Sequence, residues 1–217
     1  MMAKAFIFDM NGTMVNDMQY HTVAWHKVLN ELNADLSLEE TKLQMYGKGE
    51  EMFDRVFGPG KFEEEEMQKI ILQKELAYQD EFRPHLKLIN GLDVFLEKAK
   101  AKNIGLAIGT AAPKTNVDYV LDGLHLHNTF NAIVGAEDVT TSKPDPEVFL
   151  KCASLLNVSP EDAIVFEDSP KGIEAAQNGG FKAVAITSFH EAEDFAKFDN
   201  VLLVIDDYDD ERLKELF

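Results

Sequence analysis

Short, continuously apolar runs recur along the chain, at Ala5–Phe8, Ile104–Ile108, Ala132–Val134, Ala163–Phe166, Ala183–Ile186 and Val201–Ile205. They do not alternate apolar with polar, so they have the pattern of strands covered on both faces. Between them lie segments with helical spacing: Leu92, Phe95, Leu96 and Ala99; Val117, Val120 and Leu121; Val148, Phe149, Cys152 and Leu156. Pro144, Pro160 and Pro170 stand near predicted helix starts, while Gly91, Gly179 and Gly180 punctuate ends and turns. Strand and helix alternating in this way predict an α/β fold, a doubly wound parallel sheet with helices on both faces.

One stretch breaks the alternation. From residue 16 to 88 no strand pattern occurs, only helical spacing such as Tyr20, Val23, Ala24, Val28 and Leu32, and later Met67, Ile70, Ile71, Lys74 and Tyr78. A helical domain over 16–88 is therefore predicted as an insertion into a sheet domain formed by 1–15 and 89–217. Its linkers fall near Val15–Asp17 and Arg83–Ile89. The acidic run Glu63–Glu66 suits a helix amino terminus, and Asp206–Glu211 reads as a solvated face. A calcium loop at the second run lacks the glycine and the ligand spacing that such loops need.

Composition narrows the classes of partner. With 21 Lys+Arg against 39 Asp+Glu, the 217-residue chain carries a formal net charge of −18. A field of that sign disfavours nucleic acid and anionic membranes as partners but suits divalent cations. The single cysteine, Cys152, falls on a helix-like apolar face and reads as a core residue. One cysteine also implies a reducing compartment. The apolar start Ala5–Phe8 is too short for a secretory signal, so a cytoplasmic location is the expectation.

In doubly wound sheets, ligands gather beyond the carboxyl ends of the strands. Asp9-Met10-Asn11-Gly12-Thr13 follows the first apolar run and Gly109-Thr110-Ala111-Ala112 the second; Ser142-Lys143-Pro144 comes after the third and a loop, and Glu167-Asp168-Ser169 follows the fourth. A carboxylate, a hydroxyl, an ammonium and a carboxylate pair on one edge suit phosphoryl transfer with a metal. Singly, Asp9 or Thr110 reads as a helix cap, Lys143 as a solvated loop residue and Glu167-Asp168 as surface charge. Together, in this order, they favour the functional reading.

The same four segments resemble the motifs of the haloacid dehalogenase superfamily, and the resemblance covers nearly the whole chain. The helical insertion is similar to that superfamily's cap, and Tyr20-His21-Thr22-Val23-Ala24-Trp25 resembles the cap start of the β-phosphoglucomutase-like branch. The resemblance implies a Rossmann-like core and Asp9 as the nucleophile that forms an aspartyl phosphate. It implies Mg²⁺ held by Asp9, the Asn11 carbonyl and Asp168, with Glu167 contributing directly or through water. Thr110 and the Ala111 amide would hold phosphoryl oxygens, and Lys143 would screen the nucleophile from the phosphate. His21 would be a hinge or cap-core hydrogen bonder, and a packed helix residue fits equally.

Two positions depart from the family pattern. Asn11 stands where phosphatases and mutases carry the acid/base aspartate, and an amide cannot exchange that proton; such a loss is worth ~10²–10⁴ in rate. Asn11 is thus either a natural weakening of the chemistry or a deliberate Asp-to-Asn change that traps a bound state. In the cap, Gly47-Lys48-Gly49-Glu50 places an acid where the mutase's Gly-x-x-Arg has its arginine, unless Lys48 substitutes. Lys74 looks like another cap lysine of that group, or is a solvated helix lysine. The leading expectation is a hydrolase of small phosphorylated metabolites such as sugar phosphates. A β-phosphoglucomutase, an inorganic pyrophosphatase and a non-catalytic binder of phosphorylated metabolites are the alternatives.

Overall fold

A computed structural model describes residues 3–217. The chain begins with β1 (Ala5–Phe8), every residue of which is buried. Four helices follow: α1 (Met18–Glu31), α2 (Leu38–Gln44), α3 (Gly49–Phe57) and α4 (Glu64–Phe82). The chain then alternates through α5 (Leu92–Ala101), β2 (Gly105–Gly109), α6 (Lys114–Gly123), β3 (Ala132–Val134), α7 (Glu147–Leu155), β4 (Ala163–Glu167), α8 (Pro170–Asn178), β5 (Lys182–Ile186) and β6 (Val201–Ile205). The strands form one six-stranded parallel sheet in the order β3-β2-β1-β4-β5-β6. This is the doubly wound arrangement that the apolar runs predict.

Burial along the sheet refines that reading. The central strands β1 and β4 are wholly buried, whereas β6 is largely half-exposed and Ile133 of β3 is 37% exposed. The outer runs are apolar without being covered on both faces, because an edge strand has a neighbour on one side alone. Behind the central strands, Phe8 and Phe166 stack at 4.8 Å between ring centroids, and Phe95 meets both rings. Cys152 is fully buried in the cluster of α7, β1 and β2 residues that includes Phe149, Ala107 and Ile7. Burial pushes its thiol up to about 12, so it is an inert core group.

The chain divides into two compact units: a sheet unit, described over 3–16 and 87–217, and a helical unit, Asp17–Leu86. The helical unit has its own core of Trp25, Leu29, Met52, Phe53 and Ile71. Local signals set its elements. Ser37 caps α2 by accepting from the Glu40 amide while Glu40 accepts from the Ser37 amide. Glu63 stands at the cap of α4, with Glu64, Glu65 and Glu66 in the first turn, where the helix dipole favours negative charge. Among the described residues no helix is long and apolar enough to cross a membrane.

Candidate active site

The register of the sheet brings the strand ends level. Phe8 lies opposite Ile108 on one side and Phe166 on the other, so Asp9, Thr110 and the Glu167-Asp168 pair emerge on the same edge. The Asp9 amide continues the ladder by donating to the Phe166 carbonyl at 2.9 Å, which fixes where the carboxylate starts. After Asp9 the chain turns sharply. The Gly12 amide donates to the Val15 carbonyl at 2.8 Å, and Gly12 takes φ = +75°, a left-handed conformation that glycine adopts without a Cβ penalty. Asn11 sits half-buried in this turn.

Lys143 bridges two of the acids. Its Nζ donates to Asp9 Oδ1 at 2.6 Å and to Glu167 Oε2 at 2.7 Å, and all three side chains are buried. Burial opposes the charge on Lys143, but the two carboxylates outweigh it and hold the ammonium above the usual lysine range. The solvated-loop reading of Lys143 is therefore overturned.

Glu167 is held from its other side by the start of α8. Its Oε1 accepts from the Ser169 amide at 3.1 Å and from the Ser169 hydroxyl at 2.8 Å, while Ser169 Oγ caps the helix by accepting from the Gly172 amide. The carboxyl group lies so near Gly172 that a Cβ there would fall 1.9 Å from its carbon. Gly172 thus makes room for Glu167.

Asp168 is different. Its Oδ1 faces the Thr13 hydroxyl at 3.5 Å, and its Oδ2 is buried without a hydrogen-bond partner among the described residues. Burial first, then the neighbouring charges of Glu167 and Asp9, push its carboxyl well above the usual range. Oxygens of Asp9, Glu167 and Asp168 lie within 4.8 Å of one another. Buried polar atoms are normally satisfied, and a cluster of carboxylate oxygens with one unmatched is a donor set suited to a hard divalent cation.

Thr110 is buried immediately past the end of β2. Its amide donates to the Val134 carbonyl at 3.0 Å, and its hydroxyl accepts from the Ala112 amide at 3.1 Å. It does not cap α6, whose cap position is Pro113. Ala111 follows it at the half-buried start of the turn.

The cap candidates belong to the helical unit. Lys74 is 1% exposed, with Nζ at 2.7 Å from His21 Nδ1 and at 3.0 Å from Glu75 Oε1. It is no solvated helix lysine: burial lowers its affinity for a proton, while Glu75 and Asp17 oppose that effect. His21 stacks on Tyr78 at 3.7 Å, and Tyr78 donates to Asp17 at 2.5 Å. Gly47, at φ = +73°, and Lys48 lie between α2 and α3, with the Lys48 amide donating to Glu51. Arg55 anchors that connection through the carbonyls of Gln44 and Tyr46. Glu50 accepts from Gln68 of α4.

Three residues of the sheet unit take part in the site's contacts though the sequence assigns them no role. Thr13 and Ser169 close two of the quoted segments without a role there, and Ser before Pro170 is a helix-start signature that marks the second. Tyr208 falls inside the acidic run read as a solvated face, yet it is 5% exposed. An aromatic residue amid acids was its one signal.

A parallel doubly wound sheet with these four segments on one edge defines the class. Residues 6–186 match the family model of haloacid dehalogenase-like hydrolases, and the chain belongs to that family. Within it, the chain is a member of the β-phosphoglucomutase-like branch. It is 30% identical over 190 residues to the β-phosphoglucomutase of Bacillus subtilis (strain 168), covering 84% of this chain and 83% of that protein. It is 28% identical over 204 residues to the validoxylamine A 7'-phosphate phosphatase of Streptomyces hygroscopicus subsp. limoneus, covering 93% of each. The crystal structure of the β-phosphoglucomutase from Clostridium difficile superposes with a TM-score of 0.84 at 26% identity, covering 99% of this chain and 97% of that one.

Proposed function

We propose that this protein transfers phosphoryl groups through an aspartyl phosphate on Asp9, as a Mg²⁺-dependent hydrolase of small phosphorylated metabolites such as sugar phosphates. The observation that carries this reading is the Lys143 bridge from Asp9 to Glu167, beside the unpartnered Oδ2 of Asp168. Asp9, Asp168 and the Asn11 carbonyl would hold Mg²⁺, with Glu167 directly or through water. When bound, the ion supplies charge neutralisation for the transferring oxygens.

The chain's own residues do the rest. A carboxylate oxygen of Asp9 attacks phosphorus, an acyl–phosphate bond forms, and the bond from phosphorus to the alcohol oxygen breaks. Lys143, at 2.6 Å from Asp9 Oδ1, would reduce the repulsion between Asp9 and the incoming phosphate. Thr110 and the Ala111 amide would donate to the phosphoryl oxygens, and water then releases phosphate from Asp9. The leaving alcohol needs a proton, and the Asn11 amide has none to give, so it takes one from solvent. This places Asn11 as the impaired position, and an Asp there would restore both proton transfers. Of the cap residues, His21, Gly47, Lys48 and Lys74 are the candidates for contacting the rest of the substrate.

The test is Asn11→Asp, assayed for phosphate release over a panel of sugar phosphates and pyrophosphate with Mg²⁺ or with EDTA. Turnover should rise ~10²–10⁴-fold over the parent and vanish in EDTA. Equal rates in the two proteins would refute the reading. The likeness to the Bacillus enzyme favours a second reading, a β-phosphoglucomutase. Isomer formation without net phosphate release, given a bisphosphate primer, would select it.

A further inference from the structure

The turn that follows Asp9 is tied to the far side of the sheet. Tyr208 lies just beyond β6, the strand farthest from β1 on that side, yet its hydroxyl donates to the Thr13 carbonyl at 3.1 Å across 195 residues of sequence. The Thr13 side chain, on the same residue, faces Asp168 Oδ1 at 3.5 Å. Thr13 therefore stands between a buried phenol and the carboxylate whose other oxygen has no hydrogen-bond partner among the described residues. A second donor holds the neighbouring peptide: Ser188 Oγ, just beyond β5, donates to the Gly12 carbonyl.

The ring that carries this hydroxyl is fixed. It contacts Phe8, Phe95 and Phe166 at centroid distances of 6.3, 5.6 and 5.7 Å, and the Tyr208 amide donates to the Asn90 carbonyl at 2.9 Å. Gly91 admits the turn: a Cβ there would lie 2.7 Å from the Tyr208 carbonyl carbon. Burial and the nearby charges of Asp9, Asp168 and Glu167 keep the phenol protonated, so it remains a donor. A packing tyrosine needs only its ring; this one also sets a carbonyl next to the acids.

We infer that Tyr208 is a positioning residue for the divalent-cation site: by holding the Thr13 peptide it sets the Thr13 hydroxyl against Asp168 and the turn that carries the Asn11 carbonyl. The inference rests on the metal reading given above. Partners of metal ligands beyond the first contact typically govern about 10–100-fold in affinity.

The test uses Mn²⁺ as the probe, with free ion counted by electron paramagnetic resonance, on the parent and on Tyr208→Phe, which keeps the ring. The expected result is a Mn²⁺ Kd raised about tenfold, with the melting midpoint in EDTA shifted by a few degrees at most. An affinity within twofold of the parent, whatever the midpoint, assigns the phenol to packing and overturns the inference. Should Tyr208→Phe not fold, Ser188→Ala loosens the same turn from its other tie; weaker Mn²⁺ binding supports the inference and unchanged binding overturns it. A parent that binds no Mn²⁺ refutes the metal reading itself, and the inference with it.

Discussion

Lys143 ties two buried acids of the candidate site together. Its ammonium contacts both Asp9 and Glu167, and each contact is short and buried. Removing one member of such a buried cluster leaves carboxylates without their counter-charge, which costs about 3–5 kcal/mol. Lys143→Met should therefore lower the urea-unfolding free energy by about 3 kcal/mol in EDTA, and by less in Mg²⁺, because a bound cation replaces part of the missing charge. An unchanged unfolding curve in EDTA would show that the bridge is not formed. Under the proposed function, the same substitution would also strip Asp9 of its screen. Thr110 makes the contrast: its hydroxyl already accepts from Ala112, so its structural share is one hydrogen bond, worth about 1 kcal/mol.

At the scale of elements, α8 is built into the site rather than merely packed beside it. Pro170 opens the helix with the φ it prefers, and Ser169 both caps it and holds Glu167. The missing side chain at Gly172 is what lets the helix approach the carboxylate. In a solvated helix Gly→Ala would gain about 1 kcal/mol. Here the methyl group would overlap the Glu167 carboxyl, so Gly172→Ala should instead lose about 1–3 kcal/mol by forcing Glu167 aside. Circular dichroism with urea checks the sign, and a stabilised variant would mean that Glu167 has another rotamer available.

For the whole molecule, the charge of −18 would conflict with the anionic substrate proposed above unless the site offsets it locally. Asp9, Glu167 and Asp168 against Lys143 leave −3 + 1 = −2 if all are ionised, which a divalent cation would cancel. A cation that binds the folded state alone stabilises it by about 2.7 kcal/mol at a hundred times its Kd. Thermal melts should accordingly shift upward in Mg²⁺ relative to EDTA, and Asp168→Ala should erase the shift. Identical melts for the parent would remove the cation from the account. The distant acids matter less, since charges farther apart than about 8 Å are screened at physiological salt.

Residue order along the chain, with no tertiary information, determined the parallel sheet, the helical insertion and the sheet edge that carries Asp9, Thr110 and the Glu167-Asp168 pair. It could do so because strand periodicity is local and ligands gather at strand ends. It also placed at position 11 an amide, which cannot exchange a proton, since proton exchange is a property of residue type. Tertiary structure alone decided what each polar group touches. The buried setting of Lys74 against His21 and Glu75 lay hidden in a helix pattern that suits solvent equally well. So did the hold of Ser169 on Glu167 and the reach of Tyr208 to Thr13. Contacts between residues far apart in sequence depend on how strands and helices pack, and the pattern within any one element carries no record of its partner.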